Sequence, residues 1–258
     1  MESVKRSAKT PGFTAIVLAA GSGSRMHTGT KKQFLELCGK PMVVYSLEAF
    51  EQNANISSIV MVVGKEDLEY ALQLCLLYQI RKVKQIVEGG DMRFRSVYNG
   101  LKSVPEGTDY VLIHDGARPL LSQNLINQCC STVVMSRACV AGVPVKDTIK
   151  VVDDNGFAVQ TVERAHLWAV QTPQAFSAPL LTEAYGKLFE TIAAYHSDER
   201  VITDDAVIVE SMTDCRVRIV QGDYHNIKVT TPEDLVIAEA FLREGGAEDG
   251  EAETDSQR

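Results

Sequence analysis

The chain has 258 residues, of which 45% are hydrophobic, and a net charge of −8 at neutral pH; that is ample for a real core in one large domain or two small ones. The acidic balance argues against general nucleic-acid binding, and no apolar run approaches the ~20 residues that span a bilayer. The opening MESVKRSAKTPGF is polar and lacks the apolar centre of a secretory signal, so a cytoplasmic protein is expected, with neither nucleic acid nor membrane among its partners.

Both ends read as disordered, over 1–11 and 244–258. From Glu244 to Arg258 there are six acidic residues and one basic, too polar a stretch to bury anything. A single domain is expected over 12–243. Its six cysteines (Cys38, Cys75, Cys129, Cys130, Cys139 and Cys215) form no CxxC pair and no cluster with histidine, the pattern of reduced, mostly buried thiols and not of a zinc site.

TAIVLAA (Thr14–Ala20) is a continuous apolar run, as in a strand buried on both faces. It leads directly into GSGSRMHTGTKKQF. Gly21 and Gly23 leave backbone N–H groups bare and let a ligand approach the main chain, and Arg25, Lys31 and Lys32 follow. That combination suits a polyanion. It is not a dinucleotide fingerprint, because Met26 stands where the third glycine belongs, nor a P-loop, because no GxxxxGK[ST] occurs. By itself the GxG also describes a tight turn with solvated lysines.

Beyond it, strand and helix patterns alternate. Pro41 opens the helix PMVVYSLEAFEQN, with Val44, Leu47 and Phe50 on one stripe. ISSIVMVVG is a strand, EDLEYALQLCLLYQ a helix, VKQIVEGG a strand, RFRSVYNGLKSV a helix and DYVLIHDGARP a strand ending in a turn. SQNLINQCCSTVVMS and ACVAGVPV add a further helix and strand. Such alternation predicts a parallel sheet with right-handed crossovers, whose ligands sit beyond the carboxyl ends of the strands. The alternation breaks at KDTIKVVDDNGFAVQTVER, where Asn-Gly between two β-type runs predicts a hairpin. Two strands alone are marginal in water, so this arm, about 145–164, is expected to dock on another subunit. Thr231 and Pro232 open the last helix, TPEDLVIAEAFL.

Several chemistry-bearing residues fall at strand ends. Asp115 closes a buried run, the usual place for a Mg²⁺ ligand facing phosphates; it equally describes a cap of the next turn, paired with Arg118. His114 beside it reads as structural. In GGDMRFRS, Gly90, Asp91, Arg93 and Ser96 offer hydrogen bonds at a helix start, or Asp91 simply caps that helix. Arg164, and Thr203-Asp204-Asp205 opening a helix, could contact a polar substrate. Lys228 lies in a β-type run, where a lysine can also merely snorkel.

Taken together and in this order, LAAGSGSRM…KKQF, GGDMRFRSV, HDGARP, PVKDTIK, TVERAHLWAVQTPQ, TDDA and NIKVTTPEDL resemble the 2-C-methyl-D-erythritol 4-phosphate cytidylyltransferases of the non-mevalonate isoprenoid pathway, over roughly Phe13 to Leu242. The resemblance implies an α/β fold of the nucleotidyltransferase type, a mostly parallel twisted, Rossmann-like sheet flanked by helices with an inserted β-hairpin dimerisation arm. It implies a homodimer and a reaction, dependent on Mg²⁺ or another divalent cation, in which CTP and the polyol phosphate give CDP-methylerythritol and pyrophosphate. Carried onto this chain, Ala19, Ala20, Gly21 and Gly23 would hold the triphosphate, and Arg25 and Lys32 would stabilise the transition state. Gly90, Asp91 and Ser96 would recognise cytosine, and Asp115 would sit at the metal and ribose. Thr148 and Arg164 from the partner's arm, with Thr203 and Lys228, would hold the substrate phosphate and polyol. One departure is that the family often has proline where this chain has Lys31; the following Gln33 points to Lys32 as the matching lysine.

The attacking phosphate oxygen is already anionic, so no general base is needed, which accords with the lack of a catalytic triad. The rivals are a ribitol-5-phosphate cytidylyltransferase of the same fold, a sugar-phosphate nucleotidyltransferase using UTP or GTP, and a non-catalytic nucleotide-binding or scaffold protein. PVKDTIK and TVERAHLWAVQTPQ lean toward the methylerythritol enzyme.

Overall fold

The computed structural model describes residues 11–21, 31–195 and 202–254. Gly23, Arg25 and Met26 lie outside them. In chain order the elements are β1 (Phe13–Ala19), the short pair β2 (Glu36–Leu37) and β3 (Lys40–Pro41), α1 (Met42–Gln52), β4 (Ile56–Val63), α2 (Leu68–Leu77), β5 (Val83–Glu88), α3 (Arg93–Leu101), β6 (Tyr110–Asp115), α4 (Gln123–Ser136) and β7 (Ala138–Pro144). There follow β8 (Lys150–Val152), β9 (Ala158–Thr161), β10 (Trp168–Ser177), α5 (Ala178–Tyr195), α6 (Asp205–Met212), β11 (Arg218–Gln221) and α7 (Pro232–Thr254).

Seven strands form one sheet in the order β11-β7-β10-β6-β1-β4-β5. The apolar runs of β1, β4 and β6 occupy its centre and pair in parallel, with Leu18 beside Asp115 and Ala19 beside Val63. Successive residues of β1 face opposite layers. Ala15 and Val17 pack with α1, α2 and α4 on one side, and Ile16 packs with α3, α5 and α6 on the other. Full burial of such side chains contributes about 1.5–3 kcal/mol each, and this two-sided core fixes the strand ends that carry the polar residues.

The mostly parallel sheet agrees with the alternating pattern, but β10 runs antiparallel to both β6 and β7. Its sequence, WAVQTPQAFS, carries no turn signal that would reveal direction. The helix ends follow local chemistry. Ser122 accepts from the Leu125 N–H at 3.2 Å and caps α4, and Asp204 accepts from the Val207 N–H at 3.0 Å and caps α6. Asp234 accepts from the N–H groups of Thr230 and Thr231 at the start of α7.

Three expectations need correction. Asp91 does not cap α3; Met92 holds the cap position, and the Asp91 carboxylate pairs with Arg95 instead. Lys228 is not in a strand, since residues 226–230 form no ladder; the Asn226 side chain ties this segment to Thr172. The last helix does not stop at Leu242 but runs from Pro232 to Thr254. The DDNG hairpin forms as β8–β9, with every strand residue exposed. All six cysteines are free. Among the described residues no helix is long and apolar enough to cross a membrane.

Candidate active site

Because β1, β4, β5 and β6 are parallel, their carboxyl ends share one edge of the sheet. Ala19, Ala20 and Gly21 leave β1 there, Gly89 and Gly90 leave β5, and Asp115 ends β6. The first two exits almost touch: a Cβ on Gly89 would fall 2.4 Å from that of Ala20, a distance no side chain tolerates. Ser96, in the first turn of α3, accepts from the Gly90 N–H at 3.0 Å and holds that turn in place.

Between these exits lies a cleft of about 410 Å³, lined by Ala19, Ala20, Gly21, Lys32, Gly90, Asp91, Ser96, Asp115 and Lys228, together with Arg93. A second cleft of about 460 Å³ shares Arg93, Asp115 and Lys228 with the first and adds Arg118, Thr172, Gln174 and Thr203. The sequence-based site residues within the described chain therefore converge, apart from Thr148 and Arg164. Those two are exposed on the arm, and Arg164 donates to the Lys146 carbonyl.

The wall between the clefts is an ionic cluster. Asp115 receives Lys228 Nζ at 2.6 Å and Arg93 Nε at 3.3 Å. Arg93 also reaches Asp205 at 2.8 Å, and Tyr185 donates to the second Asp205 oxygen at 2.7 Å. Burial alone would raise the Asp115 pKa, but Arg93 and Lys228 overcome it and hold the carboxyl well below the ordinary range. Burial likewise opposes the Arg93 charge, and Asp205 and Asp115 more than restore it. Asp115 and Arg93 are thus both charged at neutral pH. Lys31 is drawn off to Asp67 at 2.6 Å and to Glu66, so of this neighbouring pair it is Lys32 that lines the cleft, alongside Lys228.

His114 is wholly buried between the Arg118 carbonyl at 3.1 Å and the Thr172 hydroxyl at 3.0 Å. Desolvation brings its pKa down to about 4, so it is a neutral structural residue, as expected. Arg118 does not pair with Asp115 as the turn-cap alternative required; it donates to the Asn226 carbonyl at 2.7 Å, and its Nε is buried without a partner.

Arg118 and Gln174 were not assigned to the site from sequence, and Arg93 and Asp205 were read only as polar groups at helix starts, not as partners of one another or of Asp115. Gln174 accepts from the N–H groups of Asp205 and Ala206 and donates to Asp204, which pins the start of α6 against the second cleft. The available signal was the polar pair of glutamines inside the apolar run WAVQTPQAF. No group of three or more His, Cys, Asp or Glu residues that could hold a metal occurs among the described residues. Asp115 lines both clefts and remains a candidate, and its two oxygens offer about four lone-pair sites, of which two are used.

A parallel strand edge with two glycine turns and converging cations defines a nucleotidyltransferase-type α/β protein. A solved 4-diphosphocytidyl-2C-methyl-D-erythritol synthase from Anaerococcus prevotii superposes with a TM-score of 0.77 at 30% identity, covering 91% of this chain and 99% of that one. The enzyme from Thermus thermophilus does so at 0.71 and 27%, covering 90% and 99%. The chain belongs to the 2-C-methyl-D-erythritol 4-phosphate cytidylyltransferase family, whose model matches residues 13–244. Relatives of that name from Lachnospira eligens and Geobacillus kaustophilus are 48% and 45% identical, over 89% and 92% of this chain and 99% of each relative.

Proposed function

We propose that the protein transfers the cytidylyl group of CTP to 2-C-methyl-D-erythritol 4-phosphate, giving CDP-methylerythritol and pyrophosphate. The observation that carries it is the convergence of Lys32, Lys228 and Arg93 on the glycine exits of β1 and β5 in a chain of this family. Two anionic reactants must meet, and negative charge then moves to the departing pyrophosphate. Such transfer is mainly positioning and charge stabilisation. The bare amides at Gly21 and the Lys32 ammonium would face the triphosphate, with Arg25 assigned the same role by resemblance. Gly90, Asp91 and Ser96 suit cytosine because they present backbone and side-chain donors and acceptors in one turn.

The second cleft suits the polyol phosphate. Lys228 and Arg118 supply positive charge, and Thr203 supplies a hydroxyl. Asp115 fits Mg²⁺, an ion satisfied by one or two carboxylates plus phosphate oxygens; when bound, the ion neutralises triphosphate charge. The chain is proposed to act as a homodimer in which each arm brings Thr148 and Arg164 to its partner's second cleft. In support, Phe157 (71%), Val159 (62%) and Val152 (57%) on the arm are largely exposed.

A pyrophosphate-release assay tests the reaction. Turnover is expected with CTP and methylerythritol phosphate, well above that with ribitol 5-phosphate or with UTP or GTP. Preference for another pair would reassign the substrate.

A further inference from the structure

Lys32 reaches the cleft from a short segment that is tied on both sides. On one side, Lys31 does not line the cleft; its ammonium bridges to Asp67 and Glu66, beyond the end of β4. On the other, Gln33 is 2% exposed and donates both amide hydrogens to main-chain carbonyls, those of Ala19 at 2.6 Å and Gly21 at 3.0 Å. Between them Lys32–Phe34 forms one tight turn, closed by the Phe34 N–H on the Lys31 carbonyl at 2.9 Å.

We infer that Lys31 and Gln33 are positioning residues: Lys31 anchors the backbone from which Lys32 reaches, and Gln33 ties up the carbonyl oxygens of Ala19 and Gly21 at the glycine exit. Lysine is a point charge on a flexible four-carbon stem, so its placement depends on how firmly its backbone is held. Carbonyl oxygens at a phosphate site repel the ligand; an amide NH₂ that engages both of them removes that repulsion at no cost in net charge. Partial burial works against the Lys31 ammonium, but the hydrogen bonds to Asp67 and Glu66 outweigh it and set its pKa above the ordinary lysine value. The Lys31 ammonium is therefore charged at neutral pH. Its acidic partners also keep Lys31 from competing with Lys32 for the phosphates.

This inference rests on the proposed reaction through Lys32, and proline separates its parts. Lys31 has φ −62° and ψ 136°, and proline fixes φ near this value. Lys31→Pro therefore stiffens the backbone without the ion pair, whereas Lys31→Met removes both. With CTP and methylerythritol phosphate, Lys31→Met and Asp67→Asn are expected to lower kcat roughly tenfold, as small misplacements do. KM for CTP should change little, and Lys31→Pro should stay within about twofold of the unaltered protein. Equal losses in the Met and Pro variants would overturn the tether and place the ammonium on the phosphates; no loss in the Met variant would overturn it too.

Gln33→Met is expected to lower kcat about tenfold at temperatures where circular dichroism shows it folded. If it does not fold, Gln33→Asn takes its place, keeping the donors with a shorter reach; unchanged kcat in the folded variant removes Gln33 from this role. Failure of the unaltered protein to turn over would instead refute the proposed reaction. In that event amide exchange at Phe34 still judges the tether, with exchange faster in Lys31→Met and restored in Lys31→Pro. Identical exchange in all three would refute it.

Discussion

The edge of the sheet and the hairpin arm solve opposite problems. At the edge, Asp115, Arg93, Asp205, Tyr185 and Lys228 satisfy one another inside the chain. On β8 and β9 every residue is exposed, and Phe157 and Val159 have no core to enter. The charged groups of the first region find partners within the chain, whereas the apolar side chains of the second find none among the described residues. The contrast shows that charged side chains can be built into a fold when each has a partner, whereas apolar ones on a two-stranded arm find no core to enter.

The sharpest way to break that contrast is Lys32→Ala, which is expected to reduce kcat about 10²–10³-fold, by analogy with a lost oxyanion-hole donor, in a variant that circular dichroism shows folded. Near-normal pyrophosphate release in this variant would take Lys32 out of catalysis. Next comes Asp205→Ala, which strands the buried end of Arg93 and the Tyr185 hydroxyl and is expected to cost about 3 kcal/mol in urea-unfolding stability. A change below about 1 kcal/mol would mean the cluster relaxes easily.

Acidification probes the same edge more gently. His114 has a folded pKa of about 4 against an ordinary 6.5, so the unfolded chain takes up the proton first. Its contribution is whole above pH 6.5 and drains as pH falls toward 4, reaching about 2 kcal/mol lost at pH 5. Chemical denaturation at pH 7 and pH 5 reads this directly; an equal slope in His114→Gln would assign the loss elsewhere. The smallest effect belongs to the arm. Arg164→Ala should raise KM for the polyol phosphate about tenfold, the scale of one charge-assisted hydrogen bond, and leave KM for CTP unchanged. A selective loss of CTP affinity would put Arg164 at the nucleotide instead.

Much of this was legible along the chain. The runs TAIVLAA and YVLIHD announce buried strands because both of their faces are apolar, and the glycines after them stand out against that background. The hairpin was legible because Asn-Gly has few other uses between β-type runs. What could not be read were relations between distant segments. Arg93 and Asp205 lie 112 positions apart, and nothing local in either segment identifies its partner. The direction of β10 is equally invisible locally, since an apolar strand between two others looks alike either way round. Lys228 misled for the opposite reason: its alternating neighbours imitate a strand, while the segment is anchored by side chains.

The reversal of β10 has a geometric result. Trp168 enters it opposite Pro144, where β7 leaves, so the chain departs for the arm and returns from it at a single doorway, on the rim where β1 and β6 also end. Had β10 run the other way, the connection would have had to travel the height of the sheet before re-entering, and the arm would be spent as a crossover. Turning one strand around lets a chain carry an appendage without unthreading the sheet that holds it.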